Sequence, residues 1–93
     1  MRTVEREAMF AAARATSLRL AEDEVATIAQ PFSYRDVYWA VRERIAWYGY
    51  PKIALDQLAE DCKAVVREYR AVGLLRVVRE HPRNAPMLFE RVR

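Results

Sequence analysis

Residues 55–93 read LDQLAEDCKAVVREYRAVGLLRVVREHPRNAPMLFERVR, and the assignment of this stretch decides the fold. Apolar residues recur at Leu55, Leu58, Ala59, Cys62, Val65, Val66, Tyr69 and Val72. Three- and four-residue spacing is one stripe of a helix. Gly73 comes next and reads as a helix stop, because a left-handed residue carries no Cβ penalty there. Residues 74–80 and 87–92 are strand-like. Between them His81-Pro82-Arg83-Asn84-Ala85-Pro86 is rich in turn formers. The pattern predicts an antiparallel hairpin over 74–93 with its turn within 81–86.

Charge marks the same stretch. Residues 1–32 and 33–62 each carry a net −1, whereas 63–93 carries +5, giving the chain its +3. The basic residues of that segment are Lys63, Arg67, Arg70, Arg76, Arg79, Arg83, Arg91 and Arg93. Positive charge gathered on one helix and hairpin is the footprint a polyphosphate binder needs.

The order helix, Gly-Leu-Leu, basic strand, Pro/Asn turn, basic strand resembles the end of a winged helix-turn-helix DNA-binding domain, as in small prokaryotic or viral transcriptional regulators. The resemblance covers residues 33–93 and rests on a pattern of elements. It implies a mainly α fold with a small β-hairpin, a recognition helix at about 63–72 and a wing at about 76–92. Residues 1–32 would then be extra N-terminal helices and a dimerisation element. It also implies sequence-specific binding of double-stranded DNA, probed by Lys63, Ala64, Arg67 and Arg70 from the helix and Arg79, His81, Arg83 and Asn84 from the wing. Ala64 would meet a thymine methyl. Homodimerisation follows from the family habit.

Two departures from that pattern stand in the residues. Only 55–72 is left for both helices of the helix-turn-helix, and Cys62 occupies the place of the expected turn. The stretch is therefore either a compressed pair or one helix. Lys52-Ile53-Ala54 would supply the short first strand. A second order, residues 22–29, a Gln30-Pro31-Phe32 turn and residues 33–39, also has helix-turn-helix form. It would turn Arg35, Tyr38, Trp39 and Arg42 toward DNA. The same fold without DNA, as a protein–protein module, is the rival reading, motivated by the acids Asp56, Glu60 and Asp61.

Upstream, residues 4–16 predict a helix with Val4, Ala8, Ala11, Ala15 and Leu18 on one narrow face. A short helix over 21–30 follows, opened by Glu22, Asp23 and Glu24 and stopped by Pro31. It either stands alone or extends the first with a break near Thr16-Ser17. Ser33 reads as an N-cap with Asp36 three residues on. The helix after it presents Tyr34, Val37, Tyr38, Val41, Ile45 and Tyr48 as one stripe, with Trp39 outside it.

At 93 residues and 53% apolar, the composition is that of one globular domain. No apolar run approaches the roughly 18 residues of a membrane span. The charged start, Met1-Arg2-Thr3-Val4-Glu5-Arg6-Glu7, does not read as a secretory signal, so an intracellular, cytoplasmic protein is expected. Cys62 stands alone, which leaves a buried thiol and no multi-cysteine metal motif. His81 is the only histidine, and Gly49 and Gly73 are the only glycines. Neither a nucleophile–base set nor a Gly-rich phosphate loop can be built from them. No enzyme, metal or cofactor is expected.

Overall fold

A computed structural model describes residues 3–79 and 86–92. Helix α1 (Thr3–Thr27), α2 (Tyr34–Ile45) and α3 (Leu58–Ala71) are followed by strands β1 (Leu75–Arg79) and β2 (Leu88–Arg91). Two 3-10 turns, Ala46–Tyr48 and Lys52–Leu55, lie in the connection from α2 to α3. The class is mainly helical with a two-stranded antiparallel sheet.

The expected helices at 4–16 and 21–30 are one continuous helix of 25 residues. The suspected breakers explain themselves. Thr16 Oγ1 donates to the Ala12 carbonyl and Ser17 Oγ to the Ala13 carbonyl, both at 2.9 Å. Each hydroxyl is thus satisfied inside the helix and has no need to end it. The acids at 22–24 fall mid-helix, where Asp23 and Glu24 meet Arg44 of α2 at 3.5 and 3.1 Å. The Val4, Ala8, Ala11, Ala15 line is exposed, with Val4 at 74%. The buried line of α1 is instead Ala13, Thr16, Ser17, Leu20, Ala21 and Val25.

Helix α2 starts as its sequence predicts. Ser33 Oγ accepts from the Asp36 N–H at 3.2 Å, and Asp36 Oδ2 accepts from the Ser33 N–H at 2.9 Å. Reciprocal capping of this kind satisfies two otherwise orphaned donors. Val37, Val41 and Ile45 are buried, but Tyr48 is not, because the switch to a 3-10 turn at Ala46 breaks the helical period. Lys52-Ile53-Ala54 is also a 3-10 turn and not the expected strand.

Within 55–72, Leu55 closes the 3-10 turn and Leu58–Ala71 is a single helix, α3, with no turn at Cys62. Leu58, Cys62, Val65 and Val66 are buried, Leu55 and Tyr69 half-buried, and Ala59 and Val72 exposed. Gly73 has φ +83°. The Leu74 N–H donates to the Tyr69 carbonyl at 2.8 Å and the Gly73 N–H to the Arg70 carbonyl at 3.1 Å. That pair of bonds is the Schellman stop, and it requires the left-handed residue that Gly73 supplies. The stop turns Leu75 inward and leaves Leu74 52% exposed.

The hairpin pairs Leu75 with Arg91, Arg76 with Glu90 and Val77 with Phe89, with an irregularity before Arg79–Leu88. Its expected turn lies outside the described residues. A third strand partner comes from between α1 and α2, after the cis Gln30–Pro31 bond. Phe32 forms a single antiparallel bridge with Phe89, with N–H to carbonyl bonds of 3.0 and 2.8 Å in both directions. Both rings are fully buried, 6.1 Å apart, and the Tyr34 ring meets Phe89 edge-on at 5.0 Å. Leu20 and Val25 of α1 share this core with α2, α3, Leu75 and Phe89.

Phe89 pairs with Val77, bridges to Phe32 and packs its ring against Phe32 and Tyr34. Phe89→Ala is expected to lose about 3–5 kcal/mol of stability in denaturant unfolding. Loss of under about 1 kcal/mol would mean that the Phe32–Phe89 junction does not hold the hairpin to the helices.

Candidate nucleic-acid interface

Helix α3 separates its residues by period. With Leu58, Cys62, Val65 and Val66 inward, Ala64, Arg67 and Arg70 face solvent, and the Lys63 side chain is 40% exposed. Positions 63, 67 and 70 lie three and four apart and so share a side of the helix. Arg70 Nη1 lies 3.9 Å from Met87 Sδ, just before β2, so this side adjoins the hairpin. Lys63 Nζ is 3.7 Å from Glu60 Oε1, a surface pair of little strength. Arg79 enters through its backbone, at the end of β1 opposite Leu88. His81, Arg83 and Asn84 lie outside the described residues. The helix residues of the expected site are therefore brought together, and the wing-tip residues are not described.

Two basic residues counted in the +5 segment serve the fold. Arg76 pairs with Glu90 across the hairpin, directly opposite in register. Arg91 Nη1 donates to the Val25 and Ile28 carbonyls at 3.0 and 2.9 Å. Its backbone N–H donates to Gln30 Oε1 at 2.8 Å. A guanidinium on the last carbonyls of α1 satisfies orphan acceptors and opposes the negative end of the helix dipole. Periodicity and composition carry no signal for this role, because the contact spans more than sixty residues of sequence.

Asp61 explains what became of one of the acids expected to oppose phosphate. It is buried on the α1 side of α3, with Oδ1 3.6 Å from Arg14 Nε. Burial pushes its carboxyl above the usual range, with Arg14 pulling the other way and Glu60 adding to the rise. Next to it, burial and the Asp61 charge push the Cys62 thiol up to about 12, so the thiolate is suppressed. Tyr69 is also raised, first by burial and then by Glu22, Glu68 and Asp23. Glu60 and Asp56 remain exposed.

The second candidate surface, on α2, differs in kind. Arg35 and Arg42 are exposed, while Arg44 is held by Asp23 and Glu24. Tyr38 is half-buried, with its ring edge-on to Trp39 at 5.3 Å. The Arg42 guanidinium lies over the Trp39 ring at 4.9 Å. Beyond α2, Trp47 is 89% exposed, which the sequence reading did not anticipate; Tyr48 and Ile53 are 46% and 51% exposed. Glu22, Asp23 and Glu24 form no metal cluster, and none is found among the described residues. No described helix is long and apolar enough to cross a membrane. No family model, curated protein or solved structure matches this chain.

The raised Asp61 carboxyl has a definite sign in stability. A carboxyl whose folded pKa exceeds its unfolded one favours the fold when protonated. That contribution is complete below the ordinary carboxylate range and is lost as pH rises through the folded value. Asp61→Asn is therefore expected to raise the unfolding midpoint at neutral pH, with the gain closing as pH falls through the carboxylate range. A loss at neutral pH would show that the Arg14 pair outweighs burial, and a gain that is the same at every pH would show that ionisation of Asp61 is not its source.

Proposed function

We propose that this chain is a winged helix-turn-helix protein that binds double-stranded DNA sequence-specifically and acts as a transcriptional regulator. The observation that carries the reading is the outer side of α3, which presents Lys63, Ala64, Arg67 and Arg70 and meets the hairpin at Arg70 beside Met87. Support also comes from element order. A single-residue bridge at Phe32 precedes α2, then α3, then the hairpin, and supports the reading by standing where a short first strand would. The long connection at 46–57 and the single α3 depart from the pattern, and α2 with α3 takes the part of the helix pair.

In this reading α3 lies in the major groove, Arg67 reaches a base edge, and Lys63 and Arg70 hold phosphates. Ala64 is small enough to let a thymine methyl approach. Arg79, His81, Arg83 and Asn84 contact the backbone from the wing. Dimerisation uses the exposed Val4, Ala8, Ala11, Ala15 line of α1, so that two half-sites are read together. The protein–protein reading keeps its place because of one observation, the exposed Trp39, Trp47, Tyr48 and Ile53. Large aromatics are what protein interfaces favour.

Fluorescence anisotropy against salt tests the proposal. Duplex affinity is expected to fall linearly on log–log axes, by about 0.9 per phosphate neutralised. Arg67→Ala is expected to cost roughly 1–3 kcal/mol and relax sequence preference, with Arg35→Ala and Arg42→Ala near neutral. If Arg35→Ala and Arg42→Ala abolish binding and Arg67→Ala does not, DNA lies on α2. If no variant matters, the protein–protein module replaces the regulator. Light scattering of the intact chain is expected to give a dimer, and Ala8→Glu with Ala11→Glu, both on the exposed side of α1, a monomer.

A further inference from the structure

Between α2 and the 46–57 connection lies a cavity of about 570 Å³, within the roughly 300–1,000 Å³ of small-molecule sites. Its lining is mixed. Tyr38 and Tyr50 contribute rings, Arg42 and Lys52 two cations, and Asp56 an acid, with Leu58 at the start of α3. Tyr50 and Arg42 are held in place. The Tyr50 hydroxyl is 2.9 Å from Thr16 Oγ1, and its ring runs parallel to that of Tyr48 at 6.0 Å. Arg42 rests one face on Trp39, which leaves its N–H edge to meet an acceptor. Neither Arg42 nor Lys52 has a carboxylate partner among the described residues. Two cations without counter-ions beside two aromatic rings ask for an anion attached to a ring.

We propose that this cavity binds a small molecule that joins a planar aromatic ring to a carboxylate or a phosphate ester. The ring packs on Tyr38 and Tyr50. The anion takes the Arg42 fork and the Lys52 point charge. Asp56 accepts from a hydroxyl or amino group on the ligand and selects for molecules that carry one. The apolar surface alone does not hold an uncharged ring, because desolvating Arg42, Lys52 and Asp56 without partners is unfavourable. Asp56 and Leu58 also join the cavity to the first turn of α3. Where α3 contacts DNA, occupancy changes duplex affinity; this coupling rests on the function proposed above, and the site itself does not.

The test is an amide NMR titration of the full chain without DNA, using 3-hydroxy-2-naphthoate and adenosine 5′-monophosphate. 2-Naphthalenemethanol serves as ring without anion, and acetate and inorganic phosphate as anion without ring. At least one of the two ring anions is expected to give saturable shifts at Tyr38, Arg42, Tyr50 and Lys52 with Kd below about 1 mM. Which one saturates identifies the carboxylate or the phosphate ester. Arg42→Gln with Lys52→Gln is expected to weaken it about tenfold or more, and the exposed Lys52→Gln alone measurably, should the double variant unfold. The site is overturned if neither saturates, or if the alcohol binds as tightly as the acids. Ligand binding with unchanged duplex affinity removes the coupling. Ligand binding in a chain that binds no duplex keeps the site and removes the DNA reading.

Discussion

The bridge between Phe32 and Phe89 is one residue wide on each strand, yet the arrangement of the molecule turns on it. A two-stranded hairpin is marginal on its own in water. Here the second strand gains a partner from the segment between α1 and α2, through reciprocal backbone bonds at 3.0 and 2.8 Å. Arg91, two residues beyond Phe89, then ties β2 to the last carbonyls of α1. The same strand thus pairs with β1, bridges to the start of α2 and caps α1. Because β1 follows α3 through the Gly73 stop, the direction of α3 relative to the hairpin is held by this junction as well. The described part of the hairpin is thus tied to α3 at one end and to α1 and the start of α2 at the other.

Elements whose signals are local were legible in the sequence. Ser33 and Asp36 stand three apart and cap α2. Gly73 ends α3 with the conformation that glycine favours, and the alternation around a Pro/Asn turn marks both strands. Signals that depend on a distant partner misled. Thr16 and Ser17 read as a break because their hydroxyls compete for the backbone, but back-bonding to residues 12 and 13 removes the competition. The acids at 22–24 read as a helix start because that is where acids gain from the dipole. Their reason for being there is Arg44, twenty residues on. A single-residue bridge has no period at all, so nothing in the sequence marks Phe32 as a pairing residue.

The candidate site was legible to the extent that α3 was. Period alone puts Ala64 and Arg67 outward once Cys62, Val65 and Val66 go inward. Charge counting overstates the field, because it assigns every arginine of the last third to one surface. Arg76 is neutralised by Glu90, and Arg91 is turned into the body. In the same way, counting acids overstates the repulsion, since Asp61 is buried against α1 beside Arg14. The two corrections act in opposite directions and leave the sign of the exposed α3 side unchanged.

The long connection from α2 to α3 carries a different chemistry from α3 itself. Had it served only to span the gap, polar and turn-forming residues would suffice, since exposed loops need no apolar anchors. Instead it exposes Trp47 and Ile53, while Tyr50 is hydrogen-bonded to Thr16 of α1 and stacked on Tyr48. Rings so placed are partly fixed and partly open, and a surface that is pre-ordered and unfilled loses little entropy when something packs on it. The connection ends at Leu58, a core residue that opens α3. A change in how that surface is filled therefore bears on the N-terminal end of α3, while the Phe32–Phe89 junction holds the hairpin that follows its other end. Helix α3 meets both constraints and carries the basic side chains, and it shares that position with α1, bonded to Tyr50 at Thr16 and to Arg91 at its end, and with α2, which runs from the Phe32 bridge to the cavity.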